Sequence, residues 1–131
     1  MTKEGPVISW KSKKQQTVAL STCEAEYMSL AACTQEGKFL KSLINDMLGR
    51  SLDDLTLYCD NQGSLELAKN PVHHQRSKHI DIRYHFVRDE VKLGSVKLMY
   101  VPSEQNIADI FTKPINSVKT QKFRSLLMGM K

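Results

Sequence analysis

The chain has 131 residues, with 19 Lys and Arg against 14 Asp and Glu, a formal net charge of +5 with its 4 histidines neutral. At 40% hydrophobic and 25% charged residues, the composition excludes disorder as a whole and leaves room for one domain. No stretch reaches the roughly 18 to 20 uninterrupted apolar residues of a membrane span, and MTKEGPVISW lacks the apolar centre of a signal peptide. These features lead to the expectation of an intracellular chain with no membrane partner. Cys23, Cys33 and Cys59 show no zinc or CxxC spacing and read as free thiols packed as small hydrophobes.

In chain order, Val7 to Trp10 reads as a strand, followed by the polar run from Lys11 to Gln16 and a short apolar piece from Thr17 to Leu20. A long helix then opens at Ser21-Thr22-Cys23-Glu24, a capping-box pattern, and stops at Gly49, with Gly37 as an internal weak point. Leu55 to Cys59 is a strand, Asp60-Asn61 caps a helix from Gln62 to Lys69, and Asn70-Pro71 ends it. After the His73-His74 loop, Ile80, Tyr84, Val87 and Val91 mark a third helix, closed by Gly94. Val96 to Val101 alternates as a strand. A short helix around Ile107 to Phe111 follows Pro102-Ser103, and a basic helix carrying Val118, Phe123, Leu126 and Leu127 ends the chain. Strands separated by helices give an α/β class.

Three acids stand out. Asp60 follows a strand directly, at the rim where open α/β sheets bind ligands, although an N-cap role would also explain it. On the long helix, taking about 100° per residue with Met28 at zero, the apolar stripe centres near about 70° and a polar face of Lys38, Lys41, Ser42 and Asn45 near about 280°. Glu24 then falls on the solvent side at about 320°, and Glu26 on the rim of the buried face at about 160°. A carboxylate on that rim either has a partner or a metal, or snorkels to the surface. Asp109 lies in an amphipathic segment after the last strand. Together, Glu26, Asp60 and Asp109 are oxygen ligands of the kind that hold hard divalent cations for phosphodiester hydrolysis.

Four blocks in order, ISWKSKKQQTVALSTCEAEYMSL, LYCDNQGSLELAKNP, HHQRSKHIDIRYHFVRDEV and VPSEQNIADIFTKP, resemble the ribonuclease H domain at the end of Pol in Ty1/copia-type LTR retrotransposons. The resemblance covers about Val7 to Pro114. It implies an RNase H-like fold over residues 1 to 115, a mixed sheet flanked by helices, with a basic tail from 116 to 131. It also implies two Mg²⁺ or Mn²⁺ ions, an RNA/DNA hybrid as substrate and hydrolysis of its RNA strand during reverse transcription. By motif position, the helix carboxylate carries over to Glu26 of EAEY, the next to Asp60 of YCDNQ, and the last to Asp109 of NIADIFTKP.

The front departs from that pattern. The family's first strand, with its catalytic Asp, and its second strand have no counterpart before Val7, so the resemblance implies an incomplete sheet. The chain alone is then expected to cleave poorly, with exposed strand edges open to self-association or to a segment supplied in trans. The expected partner is the upstream reverse transcriptase portion of Pol, in a cytoplasmic virus-like particle or the nucleus. The alternative is an inactive relic or co-opted fragment that binds nucleic acid or protein. Lys13, Lys14, Asn61, Arg76, Lys78 and His79 are the weaker candidates for contact with nucleic acid, and a stacking role for Trp10 competes with a core one. No Cys or carboxylate completes a zinc pattern with His73, His74 and His79.

Overall fold

A computed structural model of the chain describes residues 6–15, 21–69 and 78–130. The protein is mixed α/β: helix α1 (Thr22–Leu48), strand β1 (Leu55–Cys59), helices α2 (Gln62–Lys69) and α3 (Lys78–Lys92), strand β2 (Val96–Tyr100), two short 3-10 helices (Ser103–Gln105 and Ile107–Phe111) and helix α4 (Ser117–Leu127). It forms two compact units, one of residues 19–101 and one of residues 1–18 with 102–131. No helix among the described residues is long and apolar enough to cross a membrane.

In the first unit, α1 begins where the Ser21 hydroxyl accepts a hydrogen bond from the Glu24 amide at 3.1 Å. It ends at Gly49, whose φ of 63° is the left-handed turn that releases a helix. β1 and β2 pair in parallel, Leu55 opposite Val96 and Cys59 opposite Tyr100. The Val101 amide extends the ladder to the Cys59 carbonyl at 3.0 Å. One face of this sheet, with Leu57, Cys59 and Val96, is buried; Tyr58 and Met99 on the other are exposed. The core gathers Tyr27, Leu30 and Ala31 of α1 with Leu57, Ala68, Val87 and Val96. Arg88 Nε donates to the Leu67 carbonyl at 3.2 Å, tying α3 to α2. Gly37 is a close approach as well as a weak point, because a Cβ there would meet Leu55 Cδ2 at 2.6 Å.

Two expectations are corrected. Val7 to Trp10 is irregular rather than a strand. Apolar alternation permits a strand, but a ladder forms only where a second strand offers its edge. The Val7 amide instead donates to the Leu127 carbonyl at 2.8 Å, at the end of a helix. The second correction is the rotation of α1. Glu24, expected on the solvent side, is 0% exposed, together with Tyr27, Met28, Leu30, Ala31 and Thr34. The buried face therefore centres close to the 280° direction assigned to solvent. The stripe assigned to the core is exposed at Phe39 (63%), Leu43 (45%) and Met47 (77%). The averaged stripe was dominated by the second half of the helix, while only the first half carries the core. Further along the inward face, Lys38 and Asn45 are used as polar anchors, to Glu90 of α3 and to the Leu52 amide.

In the second unit, Asn116 Oδ1 caps α4 by accepting from the Lys119 amide at 2.8 Å. Phe123 of that helix is completely buried. Of the cysteines, Cys59 is buried as expected, Cys23 is half-buried and Cys33 is exposed; all three are free. The Thr17 to Leu20 piece, His73 and His74 lie outside the described residues.

Candidate metal centre

The start of α2 is pinned to the first turn of α1. Ser64, fully buried, donates its hydroxyl to the Cys23 carbonyl at 2.8 Å. Its neighbour Gly63 makes room for that approach, since a Cβ at Gly63 would lie 3.1 Å from Cys23 Sγ. Glu26 stands one helical turn beyond Cys23, and Asp60 directly follows β1. The two helices and the strand end therefore converge on one point.

At that point the carboxylates of Glu26 and Asp60 and the thiol of Cys59 have ligand atoms within 4.8 Å of one another. Glu26 and Asp60 are half-buried, and Cys59 is buried. At the start of α2, Asn61 Oδ1 accepts from the Ser64 amide at 2.9 Å. Cys59 is fixed by the Asn61 amide, which reaches its sulfur at 3.5 Å. Burial pushes the Cys59 thiol above its usual range, the Asn61 hydrogen bond opposes this, and the charges of Glu26 and Asp60 raise it further. These effects disfavour the thiolate, and the two carboxylates are the hard oxygen donors of the cluster. Such a pair suits a divalent cation that prefers oxygen and keeps several waters.

Asp109 belongs to the other unit. Its carboxylate is buried, 3.2 Å from Lys113 Nζ and 3.4 Å from the Asn106 side-chain amide that donates to it. Among the weaker candidates, Lys13 and Lys14 are exposed in irregular backbone, and Asn61 is the α2 cap just described. Arg76 lies outside the described residues, and Lys78 and His79 open α3. The sequence reading did not bring Cys59 to the carboxylates. The signal was present in the inward alternation of Leu55, Leu57 and Cys59, which places the cysteine on the α1 side of the sheet immediately before Asp60.

The chain is 42% identical over 118 residues to the Retrovirus-related Pol polyprotein from transposon RE1 of Arabidopsis thaliana, covering 90% of the chain and 8% of that relative. It is 40% identical over 116 residues to the polyprotein from transposon RE2 of the same plant, covering 88% of the chain and 8% of the relative. To the polyprotein from transposon TNT 1-94 of Nicotiana tabacum it is 39% identical over 126 residues, 96% of the chain and 9% of the relative. The chain therefore spans less than a tenth of the length of each of these three relatives. No family model matches it, and neither does any solved structure. Over nine-tenths of its length the chain is homologous to one short region of Ty1/copia-type retrotransposon Pol polyproteins.

Proposed function

We propose that this chain is the ribonuclease H portion of a Ty1/copia-type Pol polyprotein, with an RNase H-like fold, and that its site serves metal-dependent hydrolysis of the RNA strand of an RNA/DNA hybrid. The observation that carries this reading is the convergence of Glu26 and Asp60 at the carboxyl end of β1. They come from different elements, and ligands of open α/β sheets bind at that end of the strands. Glu26 and Asp60 would hold Mg²⁺ or Mn²⁺. The bound cation supplies positive charge to the phosphate undergoing cleavage. The chain's own part is to fix the two carboxylates through Ser64 and Gly63.

In this reading the partner is the reverse transcriptase portion of Pol, in a cytoplasmic particle or the nucleus. Among the described residues the sheet is a two-stranded parallel pair, and such pairs are ordinarily parts of larger, covered sheets. The same observation favours a second reading, a fragment that keeps the surface of the fold without cleaving. Incubation of an end-labelled RNA/DNA hybrid with this chain, alone and joined to the upstream segment of a relative such as the RE1 polyprotein, separates the two. Metal-dependent RNA cleavage by the joined protein, abolished by Asp60→Asn, supports the enzyme. Absence of cleavage in the joined protein leaves the non-cleaving fragment.

A further inference from the structure

The positive charge of the chain is concentrated. The unit of residues 1–18 and 102–131 holds nine Lys and Arg against three Asp and Glu, a net +6, whereas residues 19–101 hold ten against eleven, a net −1. In the basic unit the indole of Trp10 stacks on the ring of Phe111, centroids 5.2 Å apart and planes within 4° of parallel. Trp10 is nevertheless 65% exposed. Phe111 covers one face of the indole, and the remaining surface meets solvent. Lys11, Lys13 and Lys14 follow at once, all exposed in irregular backbone.

A flat ring held from behind by a second ring, with ammonium groups beside it, has the chemistry of a base-stacking platform: an unpaired base covers the open face and the lysines meet the phosphates. A duplex satisfies only the lysines, because its bases are already stacked on one another. An acidic peptide likewise leaves the indole without a flat partner. We propose that Trp10, backed by Phe111 and flanked by Lys11, Lys13 and Lys14, binds single-stranded nucleic acid. This uses no carboxylate and no metal, and so does not rest on the hydrolytic reading.

Trp10 is the only tryptophan of the chain, so its emission reports on the platform directly. The experiment titrates the whole chain, in EDTA, with an oligothymidylate of about fifteen nucleotides, and with an abasic oligomer of equal length and charge. Saturable quenching by the first and little by the second is expected. With a labelled oligothymidylate, Trp10→Ala should weaken binding about ten-fold or more and Trp10→Phe much less, while a Lys13→Ala/Lys14→Ala double variant should reduce the dependence on salt. Circular dichroism checks that each variant folds; should Trp10→Ala fail to fold, the abasic comparison and the Trp10→Phe affinity decide. Equal quenching by the abasic oligomer, no binding, or full affinity in a folded Trp10→Ala variant would overturn the proposal. Asp60→Asn should bind like the unmodified chain, so a failure here is distinguishable from a failure of hydrolysis.

Discussion

Glu26 of α1 and Asp60 at the end of β1 bring two carboxylates within 4.8 Å of each other in a half-buried setting. Like charges this close disfavour one another when no cation lies between them. Glu26→Gln and Asp60→Asn should therefore be coupled in the metal-free chain: either one relieves the repulsion, so the double variant should fall short of the sum of the two by about 0.5–1 kcal/mol, given the partial exposure of both groups. Urea denaturation of the single and double variants in EDTA measures this, and additive effects would count against the repulsion.

The position of Asp60 depends on Ser64. Its hydroxyl donates to the Cys23 carbonyl at 2.8 Å in a fully buried place. Ser64→Ala should cost about 1–2 kcal/mol, because that carbonyl loses its bond to Ser64. It should also loosen the approach of α2 to the first turn of α1. Thermal denaturation gives the first effect, and amide chemical shifts of Glu26 and Asp60 give the second. A variant with native stability and native shifts at both positions would contradict this role.

The corrected rotation of α1 is open to a paired test. Tyr27 is 1% exposed and belongs to the core, whereas Phe39 stands on the solvent side. Tyr27→Ala should destabilise by about 3–4 kcal/mol, and Phe39→Glu by no more than about 0.5 kcal/mol. The orientation first inferred from the apolar stripe requires the opposite order.

Glu90 of α3 gives the fold an acid-sensitive tie. Lys38 Nζ lies 2.5 Å from one carboxylate oxygen, and the Ser95 hydroxyl donates to the other. The Lys38 hydrogen bond chiefly, then that of Ser95, holds the Glu90 carboxyl below the ordinary glutamate range, against the effect of burial. A carboxyl with a depressed folded-state value stabilises the fold above the unfolded value of about 4.3, and loses that contribution as pH falls through the folded value. Glu90→Gln should lower stability at neutral pH by about 1 kcal/mol, discounted because Lys38 is partly exposed, and should flatten this part of the acid limb. Denaturation midpoints from about pH 3 to pH 7 test this; parallel curves for the two proteins would exclude it.

What was legible in the sequence was local. Ser21 and Gly49 bound α1, the run from Leu55 to Cys59 is β1, and Gln62 to Lys69 is α2, because caps and turn residues act within a few positions. Asp60 was legible for the same reason, as an acid at a strand end. The strand expected at Val7 was not, since a strand exists only through its partner. The burial of Glu24 was hidden because a helical average assumes one inward face along the whole element. In α1 the core uses the first half, and Phe39, Leu43 and Met47 of the second half stay exposed. That Glu26 nonetheless meets Asp60 follows from the docking of α2 on the first turn of α1, a long-range contact that helix periodicity does not contain.

The most direct test of the account is a Mn²⁺ titration of the ¹⁵N-labelled chain, read by paramagnetic broadening of amide signals. Substoichiometric Mn²⁺ should broaden the signals of Glu26, Cys59, Asp60 and Asn61 first, Mg²⁺ should reverse the broadening, and Asp60→Asn should abolish it. Broadening centred elsewhere, or unchanged by Asp60→Asn, would contradict a divalent-cation site built by Glu26 and Asp60.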